Sequence, residues 1–265
     1  RLLAILGPSG SGKSSVARAG LLPKLAAQPL PGKQNARVAV FTPGTRPLEA
    51  LATILARIAT GDPTPVAKKL EFLAVLRKST AEQCEGVRQI ADTLPDIDAQ
   101  PLLLLIDQFE EVYTKDVEPD ERRLFLDNLL CAAADASGHV SVILTLRSDF
   151  LGQTQQNPDL NQAIAQNGEI VPVMNEVELR EAIAKPAERA GHVLDDACVD
   201  LMIEQSRDRE GALPLLQFAL TRIWDGLAQG VEPADTLKQI DGVGGAEGLG
   251  CLQLASLKVD RDDRL

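Results

Sequence analysis

Near its amino end the chain reads Leu2-Leu3-Ala4-Ile5-Leu6-Gly7-Pro8-Ser9-Gly10-Ser11-Gly12-Lys13-Ser14-Ser15. Five apolar residues run straight into a glycine-rich turn, and the turn runs into a helical pattern. The spacing is G-x-x-x-x-G-K-[ST], the phosphate-binding P-loop, in the strand–loop–helix setting that gives it meaning. Gly7, Gly10 and Gly12 can adopt backbone angles closed to other residues and let the main chain approach a ligand. Successive N–H groups from Ser9 to Ser15 then form a concave nest at a helix N-terminus, where the dipole favours anions. In such a loop Lys13 reaches the β- and γ-phosphates and the Ser14 hydroxyl holds Mg²⁺. Gly7, Pro8, Ser9, Gly10, Ser11, Gly12, Lys13, Ser14 and Ser15 are therefore the expected nucleotide-binding residues.

A second stretch supplies the complementary chemistry. Pro101 is followed by Leu102-Leu103-Leu104-Leu105-Ile106 and then Asp107-Gln108-Phe109-Glu110-Glu111. Five large aliphatics in a row describe a strand buried on both faces, as in a parallel sheet covered by helices. Open α/β sheets bind ligands at the carboxyl ends of their strands, where Asp107 falls. Asp107 is thus placed to hold Mg²⁺ opposite Ser14. Glu110 and Glu111 follow a two-residue turn, and either can orient or deprotonate an attacking water; Glu110 is preferred. A further strand, Val140 to Leu146, ends in Arg147-Ser148-Asp149. Arg147 is either a fixed cation that reads γ-phosphate charge or a partner for Asp149 on the rim.

The rest of the chain alternates strand and helix up to a fifth strand at Glu169–Val173. Arg37–Phe41 reads as a second strand, and helices are expected from Ser14 to about Leu25, Leu48 to Ala59 and Pro119 to Ala134. Pro23 is expected to kink or end the first of these. Beyond the fifth strand the pattern turns all-helical. Asn175 with Glu178 makes a capping box, and the helix is expected to stop near Ala184 ahead of Pro186. A helix from Asp195 to Gln205 follows, and Gly211-Ala212-Leu213-Pro214 opens an apolar helix through Trp224 and Leu227. The expected domains are 1–174 for the nucleotide, 175–240 as a helical lid, and 241–265 as a linker or the truncated start of a winged-helix domain.

Composition narrows the function. The chain has 265 residues, 45% hydrophobic content, a net charge of −11 and 3% aromatics. A basic groove lined with stacking aromatics is not expected, which argues against nucleic acid. The apolar runs are strand-length, so no membrane span is expected, and nothing resembles a signal peptide. Cys84, Cys131, Cys198 and Cys251 are widely spaced and read as free thiols in a reducing cytoplasm. His139 and His192 are too isolated for a zinc site. The chain starts on strand residues rather than Met, as a piece of a longer protein would.

Taken together, the P-loop, Asp107–Glu111 after its aliphatic strand, Thr145–Phe150 and Gly211–Leu216 resemble the novel STAND-type NTPases, bacterial relatives of NACHT and apoptotic ATPases. The resemblance spans Leu2 to about Gly250. It implies an α/β fold of the ASCE P-loop type, a parallel five-stranded sheet in the order 5-1-4-3-2, and an appended small all-helical domain. It implies ATP and ADP as ligands with Mg²⁺ on Ser14 and Asp107, Lys13, Asp107, Glu110 and Arg147 as the catalytic set, and Pro214 leaning against adenine. It also implies a slow, regulated ATPase that self-associates through this domain when ATP-bound, beside effector and sensor domains outside the chain. Gly211 lies three residues before Pro214 instead of two, so only the proline is carried over. No N-K-x-D element for guanine and no L-S-G-G-Q signature is present. A motor-type AAA+ ATPase, with Arg207 and Arg209 as candidate sensor arginines, a small-molecule kinase and a nucleotide-bound scaffold are the alternatives.

Overall fold

The computed structural model describes residues 1–27, 34–78, 84–206, 212–240 and 242–243. Arg207, Arg209, Gly211, Cys251 and most of the glycine-rich run 241–246 lie outside the described residues. The chain separates into two compact units, Arg1–Gly7 with Gly12–Val171, and Pro8–Ser11 with Pro172 onward.

The first unit is built on five parallel strands: β1 (Leu2–Gly7), β2 (Arg37–Phe41), β3 (Leu102–Ile106), β4 (Val140–Arg147) and β5 (Gly168–Ile170). Their order is β2-β3-β4-β1-β5, the order the resemblance implied. All five residues of β3 are buried, as an uninterrupted aliphatic strand demands when both sheet faces are covered. β5 is shorter than the Glu169–Val173 expected and wholly exposed, so its three residues form an edge.

One sheet face carries the larger core. Leu102, Leu104 and Ile106 pack there with Leu51, Leu55, Phe72, Leu76, Phe125 and Leu129. These come from α3 (Pro47–Thr60), α4 (Val66–Arg77) and α6 (Pro119–Ala134), with α5 (Gly86–Asp92) alongside. α3 and α6 each begin on a proline, where the missing N–H costs nothing. On the other face Leu103 and Leu105 pack with Ile5, Ile143 and Ala17, and Leu21, Leu22 and Leu25 border them.

The helix after the P-loop does not stop at Pro23. It runs as α1 (Lys13–Ser15), widens into a π-helix over Val16–Leu21, and resumes as α2 (Leu22–Ala27). A wider turn gives room for a ring that otherwise strikes the carbonyl four residues back, so the proline is absorbed. Two short helices, α7 (Leu151–Thr154) and α8 (Pro158–Asn167), lead into β5. α8 opens on an Asn157 cap whose side chain accepts from Leu160 N–H, and it buries Leu160 and Ile164.

The second unit is helical: α9 (Glu176–Arg189), α10 (Asp196–Ser206), α11 (Ala212–Ala228) and α12 (Pro233–Gln239). The capping box at Asn175 and Glu178 forms, with N–H···O distances of 3.0 and 2.9 Å. α9 runs through Pro186 instead of ending near Ala184. Pro186 stands in the last turn, and both it and Ala182, whose carbonyl loses its donor, are exposed to water. Ile183, Met202, Leu216 and Ile223 form the heart of this unit's core.

The reading of every cysteine as a free thiol is corrected for one pair. Cys84 and Cys131 are joined by a disulfide across 47 residues, with Cα atoms 5.9 Å apart. Spacing along the chain carries no sign of the pairing, because only the packing of α5 beside α6 brings the two together. Cys198 is free and buried.

Candidate nucleotide site

The strand register assembles the site. Gly7 of β1 pairs with Arg147 of β4, and Ile5 pairs with Thr145. Ile106 of β3 pairs with Leu144 of β4, so Asp107 and Thr145 come out side by side at the sheet's carboxyl edge. In the P-loop, Gly10 and Gly12 take φ of 71° and 88°, left-handed values that a side chain would strain. Gly12 is the residue that turns the loop into α1.

Asp107 is the hub, and it is 3% exposed. Ser14 donates its hydroxyl to Asp107 Oδ1 at 2.7 Å, bridging 93 residues of sequence. Thr145 donates to the same oxygen at 2.6 Å, and the Gln108 N–H does so at 3.1 Å. The other oxygen, Oδ2, accepts from Arg18 Nε at 2.9 Å. Two hard oxygens from Ser14 and Asp107 thus face each other, a donor set of the kind Mg²⁺ uses.

The turn after Asp107 is tight. Gln108 takes φ of 54°, uncommon for a residue with a side chain. Its N–H bonds the Thr145 hydroxyl at 3.0 Å as well as Asp107, which holds it in that conformation. Phe109 is buried beneath the turn, its ring 6.4 Å from that of Phe125 and 6.3 Å from that of Tyr113. That anchor fixes where the 3₁₀ turn Phe109–Tyr113 presents its two glutamates.

The two acids then diverge. Glu111 Oε2 accepts from the Gly44 N–H at 2.8 Å, tying the turn to the loop between β2 and α3. Burial raises the Glu111 pKa, and the nearby Glu110 and Asp107 charges add to the rise. Glu110 engages the end of β4 instead: its carboxylate accepts from the Arg147 N–H at 3.3 Å, and its charge is the strongest acidic influence on Lys13. Burial lowers the Lys13 pKa, Glu110 opposes that, and Arg147 adds to the lowering. Arg147 itself grips Asp149 through two nitrogens, at 3.1 and 2.6 Å, on the partly exposed rim. The guanidinium holds the Asp149 carboxyl below its usual range.

Lys13, Ser14, Asp107, Glu110 and Arg147 therefore converge within the first unit. Pro214 lies in the first turn of α11, in the second unit, with its ring exposed. Two residues of the cluster were not singled out from sequence. Thr145 is a hydroxyl inside an apolar strand, a buried polar group that requires a partner. Arg18 follows Ser14 by four residues, the spacing that puts two side chains on one side of a helix. Both signals were present, and both are weak when read alone.

A family model, Novel STAND NTPase 1, matches residues 1–248. The chain belongs to the novel STAND NTPase 1 family. Solved structures with a similar fold include the Aeropyrum pernix ORC2 protein in ADPNP–ADP complexes, at 15% identity and a TM-score of 0.63, covering 90% of this chain and 61% of that one. The Walker-type ATPase PABY2304 of Pyrococcus abyssi matches at 18% identity and a TM-score of 0.53, over 98% and 71% of the two chains. Domain III of the Thermotoga maritima replication initiation protein DnaA matches at 16% and 0.51, over 91% and 83%. The chain spans about three fifths of the length of the ORC2 protein. No curated protein matches it. Among the described residues, no helix is long and apolar enough to cross a membrane.

Proposed function

We propose that this chain is the ATP-binding and ATP-hydrolysing core of a STAND-type switch, in which ADP or ATP decides domain opening and self-association. The observation that carries the reading is the 2.7 Å bond between Ser14 and Asp107, which joins the phosphate loop to the acidic strand end. The P-loop amides bind the phosphates, and Lys13, within reach of Glu110 and Asp107, neutralises the β- and γ-oxygens. Ser14 and Asp107 would hold Mg²⁺, which when bound screens phosphate charge. Glu110 orients the attacking water and takes up its proton, while Glu111 serves as the strut to Gly44. Arg147 senses the γ-phosphate by exchanging part of its grip on Asp149 for it. Residues 1–174 form the nucleotide domain, 175–240 the lid, 241–265 a linker or the truncated start of a winged-helix domain, and Pro214 leans on adenine.

A nucleotide that touches domain and lid biases their opening only through differential affinity. Moving such an equilibrium from 1:99 to 99:1 needs about 5.5 kcal/mol. Self-association in the ATP state follows if the open form exposes a matching surface. A second reading, a motor-type ATPase acting on DNA, draws on the fold shared with the Aeropyrum pernix ORC1 protein, solved in complex with DNA, at 19% identity and a TM-score of 0.52. The net charge of −11 weighs against it.

Steady-state phosphate release by Glu110→Gln and Glu111→Gln tests the assignment. Glu110→Gln should lower turnover by about 10²-fold or more while leaving nucleotide affinity near wild type, and Glu111→Gln should not. Equal rates in wild type and Glu110→Gln would remove hydrolysis by this acid. Size-exclusion profiles of the full-length protein that are identical with ADP and with a non-hydrolysable ATP analogue would remove the switch.

A further inference from the structure

Asp107 accepts four hydrogen bonds, yet its partners are unequal. Of the four groups that bond to it, the Ser14 hydroxyl, the Thr145 hydroxyl and the Gln108 N–H are neutral and all go to Oδ1. Arg18 is the cation among these four, donating to Oδ2 at 2.9 Å, while the Lys13 ammonium acts on Asp107 through its charge. The carboxylate is 4% exposed at its side chain whereas Arg18 is 47% exposed. A buried carboxylate without a cation is costly, and beside the Lys13 charge that guanidinium is the cation hydrogen-bonded to it. Arg18 sits in the π-helical stretch one turn beyond Ser14, on the same side of the helix that carries the metal-binding hydroxyl.

We propose that Arg18 is the built-in hydrogen-bonded counter-ion of the metal-site aspartate: it adds its charge to that of Lys13 before Mg²⁺ arrives, and so raises how much Mg²⁺ the protein needs. The inference rests on the magnesium assignment made above. Orientation of Asp107 does not depend on Arg18, because three donors already fix Oδ1. Charge does. With Arg18 in place an incoming cation meets a carboxylate already neutralised in part, and Mg²⁺ binding is weakened accordingly. The half-exposed guanidinium can swing toward solvent when displaced, which makes the exchange reversible. Arg18 is in this sense a positioning residue for charge and takes no part in bond making.

The test uses Arg18→Gln, which keeps a polar N–H donor on a shorter side chain but loses the charge, and Arg18→Lys, which keeps charge. ADP affinity is measured by calorimetry across a Mg²⁺ titration, and thermal stability is measured with EDTA and with Mg²⁺–ADP. Arg18→Gln should shift the Mg²⁺ midpoint for ADP binding down by about threefold to tenfold. It should also lower stability in EDTA, and the deficit should close in Mg²⁺–ADP. Arg18→Lys should keep the wild-type midpoint. A midpoint in Arg18→Gln within about twofold of wild type, or raised, overturns the proposal. So does a stability deficit of the same size with and without Mg²⁺–ADP, which marks a merely structural pair. If wild-type ADP affinity ignores Mg²⁺ altogether, the magnesium assignment falls and this inference with it. A Mg²⁺-dependent wild type with an unmoved Arg18→Gln overturns the part given to Arg18 alone.

Discussion

Thr145→Val removes one hydroxyl from the buried edge of the site and keeps its volume. In the wild type that hydroxyl donates to Asp107 Oδ1 at 2.6 Å and accepts from the Gln108 N–H at 3.0 Å, in a residue 1% exposed. A hydrogen bond to a charged group contributes about 1.5–3 kcal/mol, and a neutral one about 1 kcal/mol. The full sum is not lost, because Oδ1 keeps Ser14 and Gln108 keeps a 3.1 Å bond to Asp107. A loss of about 2 kcal/mol remains, which for a unit of this size lowers Tm by about 4–8 °C. Thr145→Ser is the control: it keeps the hydroxyl and gives up one methyl, at about 1 kcal/mol. Calorimetric melting of both variants should rank them wild type, then serine, then valine. A valine variant as stable as wild type, or more stable than the serine one, would refute the reasoning that Thr145 is there for its oxygen.

Two further outcomes follow from features outside the site. Reduction of the Cys84–Cys131 bond, which closes 47 residues, should destabilise the first unit by up to about 4 kcal/mol on chain-entropy grounds; equal melting with and without reductant would contradict this. His139 lies between Asp92 at 2.8 Å and Asp98 at 2.9 Å, and those carboxylates raise its pKa above the ordinary histidine value. The stabilisation from the charged ring is complete below the unfolded histidine pKa of about 6.5 and disappears as pH rises through the folded value. Wild type should therefore lose stability relative to His139→Asn from about pH 6.5 upward, and parallel pH profiles for the two would sink the assignment.

The parts of this molecule that could be read from residue order are those in which one segment carries its own signal. Leu102–Ile106 announced a doubly covered strand, and Gly7–Ser14 announced a tight strand-to-helix loop with Gly10 and Gly12 at positive φ. Asn175 with Glu178 announced a helix start. Features that arise from two distant segments meeting were hidden. Thr145 acquires meaning only through a register that sets it beside Asp107, and Arg18 only through the turn that aims it at the same carboxylate. The disulfide is of the same kind. Pro23 and Pro186 misled for another reason: local propensity favours a break, whereas a π-helical stretch accommodates the first and exposure of the last turn tolerates the second. Geometry also separates Glu110 from Glu111: the first accepts from the Arg147 N–H and the second from the Gly44 N–H, partners that their adjacency in the chain does not reveal.

The account stands or falls on phosphate capture by the loop around Lys13. Titration calorimetry of Mg²⁺–ATP into the wild type and into Lys13→Ala measures this directly. A saturable exothermic or endothermic isotherm with one site in the wild type, weakened by at least about tenfold in Lys13→Ala, is the expected result. Equal isotherms for the two proteins, or no heat from the wild type, would contradict it.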